Sequence, residues 1–155
     1  MISPFSGISL TKLRLNKTLH GRSHYRRIDV PGHNVVKGYL TPGKGDAIDL
    51  FVPAGTPIRS MHSGKITRVP KSETDKLGCV YVVGKNFTTV YAHLHVTLGL
   101  KLRIAIGMSV KEGQLLGYVG RILKDPHLHL EVWDLHGALY GSTPKALLNK
   151  IIALL

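Results

Sequence analysis

Cysteine is almost absent from this chain. Cys79 stands alone among 155 residues, which rules out an intrachain disulfide framework and a thiolate zinc cluster. Acidic residues are scarce as well: 9 Asp and Glu face 21 Lys and Arg, for a formal net charge of +12. Such a surplus favours polyanionic partners, among them nucleic acid, anionic lipid and a bacterial wall rich in carboxylates and phosphates. Aromatic residues make up only 6% of the chain. Without a base-stacking platform or a recognisable readout helix, nucleic acid is not an expected partner. No apolar run approaches a membrane-spanning length, so no transmembrane segment is expected. The opening MISPFSGISL also lacks the basic and apolar regions of a signal peptide, so an extracytoplasmic role implies release by lysis or another export route.

What is present suffices for one domain with a core, since 43% of the residues are apolar. The first third is the most basic part. Lys12, Arg14, Lys17, Arg22, Arg26, Arg27 and Lys37 face only Asp29 there, with His20, His24 and His33 interspersed. Residues 1–38 read as a basic N-terminal arm packed on or flanking the domain, and 39–155 as the domain itself. From Ala47 the text changes to short β-type runs separated by turns: AIDLFV, SGKITRV, CVYVVG, TTVYAHLHV, QLLGYVG and HLHLEVW. This spacing predicts a mainly β fold, an antiparallel sandwich or barrel-like sheet. Gly55, Gly64, Gly113, Gly117 and Gly120 read as its turn glycines. A C-terminal helix over 144–155 follows from Thr143 as cap, Pro144 in the first turn, and the stripe Leu147, Leu148, Ile151, Ile152 and Leu155.

Within these runs, histidines recur at strand spacing. In PHLHLEV, His127, His129 and Glu131 share one face while Leu128, Leu130 and Val132 take the other. Alternation in TTVYAHLHV groups Thr89, Tyr91, His93 and His95, and in AIDLFV it groups Ala47, Asp49 and Phe51. A buried carboxylate such as Asp49 is costly unless it is paired or binds a metal. Two readings fit the imidazoles, a solvated sheet surface and a metal site. A bare H-x-H does not choose between them. His95 reads as a hydrogen-bonded sheet histidine, Glu131 as a supporting or surface carboxylate, and His20, His62 and His136 as surface residues.

Taken in order, AIDLFVPAGTPIRSMHSGKI, VYAHL, VKEGQLLGYVG and PHLHLEVW resemble the lysostaphin-type (LytM-like) zinc metallopeptidases, which cut peptidoglycan peptides. The likeness covers Ala47 to Leu148. It implies the family's lysostaphin-like fold, a duplicated hybrid motif with a groove, and a Zn2+ cofactor. It implies Asp49 and His129 as metal ligands and His93 and His127 as catalytic histidines. It implies bacterial peptidoglycan with its anionic wall polymers as partner, and a monomer acting at the wall or in the periplasm. One part departs from the pattern. Gly45 stands where the first ligand of H-x-G-x-D belongs, and Ala47 replaces the motif glycine. His33 is the nearest histidine able to complete the ligand set, His24 the next, and Asp46 an oxygen alternative. With none of them, the chain is a metal-free binding or regulatory relative.

Overall fold

The computed structural model describes residues 1–17, 47–70, 78–95, 104–121, 124–134 and 137–155. The strands are β1 (Arg14–Leu15), β2 (Ala47–Phe51), β3 (Pro57–Arg59), β4 (Gly64–Arg68), β5 (Cys79–Val83), β6 (Thr88–Ala92), β7 (Leu94–His95), β8 (Ser109–Val110), β9 (Leu115–Val119), β10 (His127–Asp134) and β11 (Gly137–Ala138). The helix α1 spans Pro144–Ile152. Seven strands form the larger sheet in the order β1-β2-β10-β6-β5-β4-β8, and β11 adds to β10 as an eighth; a second sheet runs β3-β9-β7. Every pairing among the described strands is antiparallel. The mainly β architecture read from the sequence is the observed one.

The core lies between the two sheets and under the helix. Ile48 and Leu50 of β2, Leu128 and Leu130 of β10, Tyr91 of β6, Val80 and Val82 of β5, and Ile66 of β4 point into it. The smaller sheet contributes Ile58, Leu94, Leu116 and Val119, and the helix contributes Leu147, Leu148 and Ile151. Burying one such Leu or Ile side chain is worth about 1.5–3 kcal/mol, so the alternating runs that fill this space set the strand faces. Tyr91 is fully buried, and its hydroxyl is satisfied by the backbone N–H of Met61 at 2.8 Å.

The helix begins as expected, with the Thr143 hydroxyl accepting from the Ala146 N–H at 3.1 Å and Pro144 in the first turn. It ends earlier than the 144–155 expectation. Leu154 and Leu155 donate to Ile151 and Ile152 over three-residue spacings, a tighter turn that satisfies the last carbonyls. Two further expectations need correcting. Gly64 opens β4, opposite Val110, and Gly117 lies inside β9, opposite Ile58, rather than in turns. His62 is buried, not superficial, with Nε2 2.9 Å from the Thr89 hydroxyl and Nδ1 3.0 Å from the Ser63 carbonyl. Burial pushes its pKa below the ordinary imidazole value.

The N-terminal stretch is woven into this fold. Phe5 and Leu10 are buried in the core, and β1 pairs with β2 through Arg14 opposite Phe51 and Leu15 opposite Leu50. Leu15 therefore faces the core side, and Arg14 faces the opposite side of the sheet.

Candidate active site

Residues directly opposite each other in an antiparallel ladder share a face. On the side of the large sheet away from the core, β2 and β10 set Asp49 opposite His129, Phe51 opposite His127, and Ala47 opposite Glu131. The next strand, β6, sets Ala92 beside His129 and Val90 beside Glu131. The face continues over β5 through Cys79 and Tyr81, which cluster with Val90, Ala92 and Trp133. Polar groups thus occupy one end of an otherwise apolar surface. The two imidazoles of H-x-H and the aspartate of AIDLFV converge there, as the strand patterns require. A solvated sheet surface is excluded, since His129 and Glu131 are fully buried and Asp49 is 4% exposed.

These groups form a connected chain. The Nδ1 of His129 lies 3.0 Å from Asp49 Oδ1, and its Nε2 lies 3.2 Å from Glu131 Oε1. The other Glu131 oxygen accepts from the Trp133 indole N–H at 3.2 Å. On the far side, the backbone N–H of Asp49 donates to Asn16 Oδ1 at 3.2 Å. Burial alone would lower the His129 pKa, but its hydrogen bonds to Asp49 and Glu131, with their charges, outweigh this and raise it to about 9. Without a metal the ring is therefore an imidazolium held between two carboxylates.

His127 is arranged differently. Its Nδ1 lies 2.7 Å from the Asp125 carbonyl, which can only accept, so Nδ1 carries the proton in the neutral ring. That leaves Nε2 with a lone pair, 3.7 Å from Asp49 Oδ1. The Phe51 ring packs against His127 at 5.2 Å between centroids.

His93 is the irregular member. Register places Tyr91 opposite Leu130, on the core face, and Ala92 opposite His129, on the site face. The alternation expected for Thr89, Tyr91, His93 and His95 therefore put them on the wrong side. His93 reaches the site because it leaves the strand conformation, with φ of 62°, the described chain's one positive φ outside glycine. Its ring stands edge-on to His127 at 4.9 Å and to His129 at 5.8 Å. Gly120 supports this bend: its N–H donates to the His93 carbonyl at 2.9 Å, and a Cβ at Gly120 would come within 3.1 Å of that oxygen. Backbone strain concentrated at such a cluster is a mark of function. His95 continues into β7, opposite Tyr118 of the smaller sheet. Its buried Nδ1 has no hydrogen-bond partner among the described residues.

The donor chemistry suits a divalent ion in part. Asp49 and His129 present an oxygen and a nitrogen to each other, and Glu131 takes the second ring nitrogen of His129. A carboxylate on the distal nitrogen is the usual way of fixing the tautomer of a ligating histidine. Among the described residues, no group of three or more such side chains forms a complete ion site. His33, expected to complete the set, lies outside the described residues, as do His24, Gly45 and Asp46; His20 and His136, read as surface residues, lie outside them too. Sequence reasoning missed Arg14 and Asn16, whose alternation with Leu13 and Leu15 was the available signal. It also missed the part played by Trp133.

Residues 43–140 match Peptidase family M23. A 101-residue stretch is 33% identical to the cell division protein DipM of Caulobacter vibrioides, covering 63% of this chain and 15% of that protein. The chain thus spans a small part of that relative. Among solved structures, the catalytic domain of the antimicrobial peptidase lysostaphin from Staphylococcus simulans superposes with a TM-score of 0.55 at 19% identity, over 90% of this chain and 95% of that one. A zinc containing peptidase from Vibrio cholerae gives 0.56 at 22% identity, over 88% of this chain and 37% of that one. These likenesses bear out the fold and the lysostaphin-type resemblance read from the motifs. The chain belongs to peptidase family M23.

Proposed function

We propose that this chain is a zinc-dependent endopeptidase that hydrolyses stem peptides or peptide cross-links of bacterial peptidoglycan, a cell-wall lytic enzyme of the endolysin kind working as a monomer at the wall. The observation that carries this reading is the buried pair of Asp49 and His129, aligned at 3.0 Å with Glu131 on the opposite side of the ring. Two carboxylates around one imidazole are costly to bury for structure alone and are suited to holding a cation. Asp49 and His129 would hold zinc, with His33 the proposed third ligand. Bound zinc would supply Lewis acidity toward a peptide carbonyl and lower the pKa of a water.

The remaining roles belong to the chain's own side chains. His127, its Nδ1 proton committed to the Asp125 carbonyl, uses Nε2 to accept a proton from the attacking water and return it to the leaving amine. His93, edge-on to that ring, donates a hydrogen bond to the oxygen that gains charge as the carbonyl becomes tetrahedral. Donors of this kind typically lower the barrier by about 3 kcal/mol each. The net charge of +12 draws the protein to an anionic wall.

The test is the metal content of the purified protein, together with zinc-dependent release of free amines from peptidoglycan. Zinc near one per chain, with activity lost to a chelator and restored by zinc, supports the enzyme. A second reading is motivated by Gly45 at the first-ligand place: a metal-free module that binds wall peptide without cutting it. Zinc near zero, with no hydrolysis, would establish that reading instead.

A further inference from the structure

β1 brings a guanidinium to the rim of the candidate site. Arg14 lies opposite Phe51 in the ladder, and its Cζ sits 3.9 Å above the centre of the Phe51 ring. His127 packs against the same ring, at 5.2 Å between centroids. Arg14 is 66% exposed, and its ion pair to Asp125 at 3.7 Å joins two groups that are both about two thirds open to water. Exposed pairs of this kind are weak and readily exchanged. Stacking on Phe51 does something different: it orients the planar fork while leaving its N–H edge open to exchange partners. A solvent-facing guanidinium stacked on the ring that also packs against His127 has the planar donor geometry that suits a carboxylate.

We propose that Arg14, stacked on Phe51, is a specificity determinant that binds a free carboxylate of the peptide substrate on the His127 side of the site. The proposal rests on the wall-peptide reading above, because stem peptides carry carboxylates that a neutral peptide lacks. On binding, the substrate carboxylate displaces Asp125 from the fork and forms charge-assisted hydrogen bonds to the same N–H edge. The Asp125 main chain stays in place, since its carbonyl remains bonded to His127 Nδ1.

The experiment compares two stem peptides identical except that one carries a carboxylate where the other carries a primary carboxamide. Dissociation constants are measured by calorimetry on the full chain, wild type, Arg14→Gln and Arg14→Lys. The wild type is expected to prefer the acid roughly tenfold, a preference that shrinks with added salt. Arg14→Gln loses that tenfold for the acid and nothing for the amide. Arg14→Lys, with a point charge and no planar face to stack, falls between. A role confined to holding the fold would weaken both peptides equally, and that result overturns the proposal. So does a wild type that fails to discriminate acid from amide. Cleavage is not read in this experiment, so the peptidase reading stands or falls separately, on zinc-dependent amine release.

Discussion

The imidazolium between Asp49 and Glu131 sets a measurable pH dependence on metal binding. A ligating histidine must be neutral, whereas the His129 pKa is raised from its ordinary 6.5 to about 9. Zinc bound as proposed would have to displace, at neutral pH, a proton held about two pH units too tightly, equivalent to about 3 kcal/mol, or a hundredfold in affinity. The apparent affinity should improve about tenfold per pH unit between roughly pH 7 and 9, then level off. Competition against a chromophoric chelator across that range reads the slope. Calorimetry in buffers of different ionisation enthalpy counts the proton released. The same shift acts on the metal-free fold with a definite sign. Because the folded pKa lies above the unfolded one, the stabilisation is fully present below about pH 6.5 and is lost as pH rises through about 9. Its size is on the order of 3 kcal/mol. Metal-free protein should thus melt at lower temperature at about pH 9.5 than at about pH 6.5, and zinc should abolish the difference. A zinc affinity that stays flat from neutral to alkaline pH would refute the reasoning.

Three substitutions separate the roles within the cluster. His127→Ala should lower kcat by about 10²–10⁴-fold while zinc stoichiometry stays unchanged, because in the proposed mechanism its Nε2 transfers protons and holds no metal; loss of zinc would reassign it as a ligand. Glu131→Gln should weaken zinc binding by about 10–100-fold and shift the proton-linked slope to lower pH, as measured by the same chelator competition. His93→Asn keeps a residue that tolerates positive φ but removes the imidazole. It should leave the thermal midpoint nearly unchanged and reduce the turnover of wall peptide.

The site was legible where strand period and strand pairing agree. His127, His129 and Glu131 on one face and Asp49 on another follow from period two, and the observed ladder sets Asp49 directly opposite His129. Alternation failed at His93 because one left-handed residue shifts the face of everything after it, and no local pattern marks that residue. Arg14 and Asn16 were illegible for a different reason. Arg14 lies in a strand of only two residues and Asn16 just after it, and the partner β2 begins more than thirty positions later, so the pairing is purely tertiary. His62 misled because it sits between serines and turn residues, yet the Thr89 hydroxyl and the Phe87 ring, 6.4 Å away, draw it inward. Glu131 looked ambiguous for want of its partners: only the folded sheet shows that both its oxygens are taken, by His129 and by Trp133.

Ala47 replaces the motif glycine, and the register explains why the change is tolerable. It lies directly opposite Glu131, is fully buried, and shares the site face with it. A small side chain at that point leaves room for the Glu131 carboxylate to reach along its own strand to His129 and Trp133. Alanine adds a single methyl group within that space, whereas a larger residue would have to displace the carboxylate or the strand. Ala47→Gly should therefore leave zinc affinity nearly unaltered, with at most about 1 kcal/mol lost to the added backbone freedom of glycine in a strand. Ala47→Leu should destabilise the fold by about 1–3 kcal/mol through overpacking. Beyond that, it should reproduce the zinc-affinity loss of Glu131→Gln, because the carboxylate is pushed off the ring nitrogen. Denaturant titration reports the first effect and chelator competition the second. If Ala47→Leu destabilised the protein yet bound zinc as tightly as the wild type, the Glu131 contact would not be orienting His129, and Asp49 alone would have to set the ring.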